Sequence, residues 1–308
     1  MSLLTLGAST IRFPCDAAGA NTGGDGVKGK TMPVVSVLWG LGLLTAIALS
    51  LLWNGNMAYS LAHNGLETVG VNATVEAGVN RAVAGLLDPR TERRWRSDGA
   101  TQSFEFNGTL IKVSIQDELG KIDLNQAEAP LLASLLRSNG LNPDAASSLA
   151  DKIVDWRTTT SLRSLNGAKE QDYRALGSSY RPRNGPFQSI DELLLVMDMT
   201  PALFRRIEPA LTVYSGRQFI DPQVAPREAL RALPNMTPDS VESALAERAR
   251  RQLALDPSVG DVLASLRGRA FSIRTEFATS NRTILREVTV RLTENPNQPY
   301  WPLSWRAK

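Results

Sequence analysis

Residues 34–53 read VVSVLWGLGLLTAIALSLLW, twenty positions without a charge. At a rise of about 1.5 Å per residue, a helix of that length matches the hydrocarbon core of a bilayer, roughly 30 Å thick. The stretch is predicted to span a membrane, with Trp53 near the outer interface. Gly40, Gly42 and Ala46 supply the small-residue surface on which apolar helices pack closely. A cleaved secretory signal would carry a shorter apolar run, about 7–15 residues, ending in a small-residue site. Asn54-Gly55-Asn56-Met57-Ala58 is a poor version of such a site, so the helix reads as a retained anchor. Arg12, Lys28 and Lys30 precede it, and apart from His63 the next basic residue is Arg81. The positive-inside bias then leaves 1–33 in the cytoplasm and everything from Asn54 onward across the membrane.

Charge and rare residues narrow the chemistry. The 308 residues carry 34 Lys+Arg against 31 Asp+Glu, a net charge of +3, which gives no electrostatic footprint for nucleic acid. One His (His63) and one Cys (Cys15) cannot build a His-rich zinc site, an internal disulfide or a thiolate cage. Cys15 falls on the cytoplasmic side, and a far side without thiols is compatible with an oxidising compartment. No nucleophile, base and oxyanion donor converge in any motif, so a non-enzymatic protein is expected.

Upstream of the span, 1–33 is rich in Gly, Ala, Ser and Thr and reads as a leader. Lys28-Gly29-Lys30 is either a site for a peptidase on the cytoplasmic face or a basic tail that fixes topology. Downstream, apolar residues recur at helical steps in two runs, Ala62, Leu66, Val69, Ala73 and then Val75, Val79, Val83, Leu86. The two runs are out of register with each other. Asp88-Pro89-Arg90 ends that helix, and 104–115 reads as a β-hairpin turning at Asn107-Gly108.

The segment DELGKIDLNQA (117–127) gathers oxygen ligands but lacks the alternating carboxylates of a calcium loop, so a turn at Gly120 followed by a helix cap is the better reading. From 127 to about 265 the chain is predicted mostly helical. Asn142-Pro143, Thr200-Pro201 and Thr237-Pro238 each set a capping side chain before a Pro that needs no N–H, and Ser189 to Glu192 forms a capping box. The segment around Thr237-Pro238 approaches a helix-hairpin-helix DNA module. Phosphate-binding hairpins use glycines for close backbone approach, whereas Asn235, Met236, Asp198 and Met199 stand here. Strands return at 270–278 and 283–292, with Trp301 and Trp305 in a final stretch.

These pieces give an α+β protein: a leader (1–33), a transmembrane helix (34–53), a pilin-like helix-on-antiparallel-sheet body (54–126 and 266–308), and an inserted all-α, SAM-like domain of helical hairpins (127–265). In their order, the anchor, DELGKIDLNQA, LADKIVDWR, GAKEQDYRALGSSYRPRNGPFQSIDELLLVMDMT, IEPALTVYS, ALPNMTP and PLSWR resemble the K minor pseudopilin family of bacterial type II secretion systems. The resemblance implies a single-pass inner-membrane protein with its body in the periplasm. A prepilin peptidase would cut after Gly29, leaving Lys30 as the new, methylated N-terminus. Position five of the mature chain is then Val34 rather than the Glu of ordinary pilins. The protein would join I- and J-type minor pseudopilins to initiate or cap a pseudopilus that drives export of folded proteins. Some relatives bind calcium in the helical domain, which makes Asp155, Glu170 and Asp172 candidate ligands, although Thr158, Thr160 and Lys169 stand where acidic residues are common. The alternatives are a type IV pilus-like tip subunit and a membrane-anchored helix-hairpin-helix receptor for DNA uptake.

Overall fold

The computed structural model describes residues 32–90, 93–253, 266–279 and 282–307, and within these the side chains other than those of 32–34, 51–67 and 251–253. The leader with Gly29 and Lys30, and the side chains of Val34 and His63, therefore lie outside the described residues. Two compact units divide at Gly65/Leu66.

Helix α1 (Met32–Leu86) begins in the first unit, where it covers the predicted span. The side chains of 35–50 are exposed throughout, Trp39 by 77%. Among the described residues no helix is long and apolar enough to cross a membrane. The described part of the apolar stretch stops at Ser50, short of the roughly 20 residues that a span takes.

In the second unit the last turns of α1 pack on a five-stranded antiparallel sheet. The strands are β1 (Asp98–Phe106), β2 (Thr109–Asp117), β5 (Ala270–Ala278), β6 (Thr283–Leu292) and β7 (Tyr300–Ala307), in spatial order β1-β2-β5-β6-β7. Asn107 (φ 48°) and Gly108 (φ 72°) both take the left-handed conformation that a tight two-residue hairpin needs, which is why Asn-Gly joins β1 to β2. Alternation assigns the two faces. Ile111, Val113 and Ile115 stand opposite Phe277, Thr275 and Ile273, and this face takes the Val75, Val79, Val83 and Leu86 stripe of α1. Gly78 brings the helix close: a Cβ there would sit 2.5 Å from Thr275 Cγ2.

Of the first predicted apolar run, the two residues with described side chains do not join this stripe. Val69 and Ala73 are exposed, and Val71 is buried instead. At about 100° per residue, the six positions from Val69 to Val75 turn the helix well away from the sheet.

Between β2 and β5 the chain leaves the sheet and builds a second core from α2 (Ala129–Ser138), α3 (Pro143–Arg157), α4 (Glu170–Ala175), α5 (Pro201–Ile207), α6 (Arg227–Leu230) and α7 (Pro238–Leu253). The three caps form. Asn142 Oδ1 accepts from Ala145 N at 2.8 Å, Thr200 Oγ1 from Leu203 N at 3.2 Å, and Thr237 Oγ1 from Ser240 N at 3.2 Å. Two expectations need correction. The inserted domain is not all-α, because its β4 (Leu211–Thr212) pairs in parallel with β3 (Ile122–Asp123), just before the domain begins. Nor does the capping box close as read: Ile190–Leu195 is a 3-10 helix, Ser189 Oγ accepts from Asp191 N, and Glu192 accepts from Gln188 N and Arg183 rather than from Ser189 N.

Candidate functional site

Beyond α1, the motifs that carried the resemblance fall largely at two places, the seam between the sheet and the helical segment and the loop after α3. The seam lies on the sheet face away from α1, where register pairs Ser272 with Thr289 and Arg274 with Glu287. Arg306, in the terminal PLSWR, stands opposite Glu287 on β6. Its guanidinium donates to Asp191 Oδ1 at 2.6 Å and pairs with Glu208 Oε1 at 2.8 Å, with Glu287 Oε1 at 3.8 Å. Burial opposes the charge on Arg306, but Asp191, Glu208 and Glu287 together hold its pKa above the ordinary arginine value. One side chain from the last strand thus fastens two turns of the helical segment to the sheet.

DELGKIDLNQA supplies the other half of the seam. Asp117 caps the following 3-10 turn by accepting from Leu119 N at 2.9 Å, and it pairs with Arg269. Fully buried, it has a pKa raised to about 6, because loss of water outweighs the attraction of Arg269. Lys121 Nζ donates to Glu118 Oε1 at 2.7 Å and to Ser272 Oγ at 3.2 Å. Gly120 is required by proximity, since a Cβ would lie 2.4 Å from the Val224 carbonyl oxygen. Asp123 accepts from Asn125 N, Gly216 N and Ser215 Oγ, and the Asn125 side chain exchanges two hydrogen bonds with the backbone of Phe187. The oxygen-rich motif is therefore a capped turn whose side chains bond within the protein. A cleft of about 310 Å³ opens over the seam, lined by Lys121, Asp191, Glu287 and Arg306 among others.

At the second place, each residue of the Asp155-Trp156-Arg157 motif has a distinct partner. Trp156 gathers Tyr173, Tyr180 and Phe187 at ring-centroid distances of 5.7, 6.4 and 6.3 Å. Tyr173 accepts a hydrogen bond from Met197 N, and burial raises its phenol to about 12. Arg157 donates to the carbonyls of Leu124 and Ala127. Asp155, only 2% exposed, accepts from Ser164 N at 3.0 Å and from Ser164 Oγ at 2.8 Å.

The other two candidate calcium ligands are committed elsewhere. Asp172 caps α4 by accepting from Lys169 N at 2.8 Å and bonds Arg163, and these contacts hold its pKa low. Glu170 pairs with Arg174 at 2.7 Å and Arg181 at 3.8 Å. The structure does not bring Asp155, Glu170 and Asp172 together as a ligand set, and among the described residues no three acidic, His or Cys side chains could hold a metal ion.

In the two helical hairpins, Asp198 (φ 69°) and Asn235 (φ 62°) occupy left-handed positions. Asp and Asn tolerate that conformation through their short polar side chains. The Asp198 carboxylate pairs with Lys152. Sequence reasoning missed the Arg306 cluster. Its one visible signal was a basic residue ending an otherwise aromatic and apolar strand.

Comparison with known proteins follows the same motifs. Residues 110–216 match the family model described as type II secretion system (T2SS), protein K. A type II secretion system protein K from Klebsiella pneumoniae is 33% identical over 130 residues, covering 38% of this chain and 39% of the relative. One from Pectobacterium carotovorum subsp. carotovorum is 29% identical over 104 residues, covering 34% of this chain and 31% of the relative. The matched part of this chain thus spans less than two fifths of either relative's length. A chain in the crystal structure of the GspK-GspI-GspJ complex from the enterotoxigenic Escherichia coli type 2 secretion system superposes with a TM-score of 0.57. That match is 15% identical, covers 80% of this chain and 99% of the other, and shows a shared fold.

Proposed function

We propose that this chain, whose residues 110–216 match the family model for type II secretion system protein K, is a minor pseudopilin. In this reading it is a non-enzymatic subunit that assembles with I- and J-type minor pseudopilins at the tip of a periplasmic pseudopilus. The observation that carries the reading is the way a helical segment leaves a helix-on-sheet body after β2, returns at β5, and is fastened by Arg306 to the sheet face away from α1. A pilus subunit adds to a filament through its N-terminal helix. Bulk fixed beside the sheet would obstruct a further subunit above, which is what a cap requires.

The apolar stretch 34–53 supports a single-pass inner-membrane anchor that becomes the filament spine once withdrawn from the bilayer. Val34 at position five removes the carboxylate that ordinary pilins offer to a neighbouring subunit, which suits a terminal position. Co-expression with the I- and J-type partners of the same secretion system, followed by size-exclusion chromatography with light scattering, tests the proposal. A ternary complex is the expected result. A chain that elutes alone in the presence of both partners refutes it. The DNA-receptor alternative draws no support from hairpins that carry Asp198 and Asn235, and a gel shift at low salt would show no complex with DNA.

A further inference from the structure

The loop after α3 closes on a lysine ammonium that the chain itself supplies. Helix α3 ends at Arg157, and its last turn carries the negative end of the helix dipole. Val154 O is bonded by Thr158 N and Trp156 O by Asn184 N, while the Asp155 carbonyl takes its bond from a side chain. The buried Asp155 carboxylate adds a full negative charge at the same place. The Lys169 ammonium reaches into this position, donating to the Asp155 carbonyl oxygen at 2.6 Å and to the Thr158 carbonyl oxygen at 2.8 Å. Two main-chain oxygens beside a carboxylate are what a hard cation would seek, and here they are bonded to an ammonium. The loop lies close against the carboxylate, since a Cβ on Gly167 would lie 1.8 Å from Asp155 Oδ2.

We propose that Lys169 is a tethered substitute for a divalent cation, which closes the 158–169 loop on the C-terminus of α3 without calcium. Three features of the sequence converge on this. Thr158 contributes only its carbonyl to Lys169, while its hydroxyl donates back to Val154 O at 2.6 Å. Lys169 itself opens α4, so its position is fixed by the Asp172 cap. Gly167 lets the loop descend close enough for Ser164 to reach the Asp155 carboxylate. A calcium ion at this point would have to displace a covalently attached ammonium that pays little entropy to stay.

The test uses the full chain purified in detergent and does not depend on secretion, so its outcome is separate from that of the pseudopilin reading. Thermal unfolding is recorded in millimolar calcium and in excess chelator, for the wild type and for Lys169→Met. The wild type is expected to melt at the same temperature in both conditions. Lys169→Met leaves two carbonyls without their donor, while the Asp155 carboxylate keeps its bonds from Ser164, and should melt about 4–8 °C lower. Hydrogen exchange in the 158–168 loop should rise about tenfold in that variant, a factor that corresponds to 1.4 kcal/mol of local opening. A calcium-dependent rise of several degrees in the wild type would overturn the proposal, because a ligand that binds only the folded chain must stabilise it. So would a Lys169→Met chain with wild-type melting and wild-type loop protection. Should Lys169→Met fail to fold, the wild-type comparison decides alone.

Discussion

The two faces of the five-stranded sheet are held by different physics. Under α1, Val75, Val79, Val83 and Leu86 meet Ile111, Val113 and Ile273 in an apolar interface. Opposite, Ser272, Arg274, Glu287 and Thr289 meet the helical segment through Arg306, Lys121 and their carboxylates. Burial of apolar area is strong and non-directional, about 1.5–3 kcal/mol for each aliphatic side chain. Ion pairs add less net stability, because each charge must first shed water, but they demand one geometry. The helix is therefore held by bulk burial, and the helical segment is held in a specific place.

The largest expected effect falls on the apolar face. Val79→Asp would bury an unpaired carboxylate where Val79 is now 1% exposed. A loss of more than about 4 kcal/mol and failure to accumulate folded protein should follow, read by circular dichroism melting.

Next comes the polar face. Arg306→Ala leaves Asp191, Glu208 and Glu287 facing one another without their shared cation. With Asp191 half exposed, the cost should be about 2 kcal/mol and should shrink in high salt. Hydrogen exchange should then rise around Asp191 and Glu208 while the α1 stripe keeps its protection. Equal loosening of both faces would erase the distinction drawn between them.

A third effect sharpens the role of Asp117, which sits at the end of β2 between the two cores. Its pKa is raised from 3.8 to about 6 by burial, so the folded chain keeps a proton that the unfolded chain has lost. The folded state then binds more protons across that interval, and the stability contributed falls as pH rises from about 4 to about 6. Urea midpoints measured through this window should decline for the wild type and lie flatter for Asp117→Asn. A rising midpoint would mean that Arg269 governs the carboxylate instead.

The smallest effect is local. Asn142→Ala removes one helix cap on α3 and should cost about 1 kcal/mol by the same midpoint measurement.

What could be read from the sequence follows the same division. The hairpin at Asn107-Gly108, the caps at Asn142, Thr200 and Thr237, and the Val75 to Leu86 stripe are local patterns, and each recurs in the structure. The seam was not legible, because Asp191, Glu208, Glu287 and Arg306 are far apart in the chain and meet only when both cores have formed. The three candidate calcium ligands show the converse error. They are near one another in sequence, but each carboxylate is taken by another partner, Asp155 by Ser164, Asp172 by Lys169 N and Arg163, and Glu170 by Arg174. The β3–β4 pairing was hidden because two residues on each side are too short to display any period.

Intact mass and N-terminal sequencing of the protein from membranes, with and without a co-expressed prepilin peptidase, test the pseudopilin account most directly. The account predicts a chain that begins at Lys30, methylated, only when the peptidase is present. A chain that begins at Met1 under both conditions would contradict it.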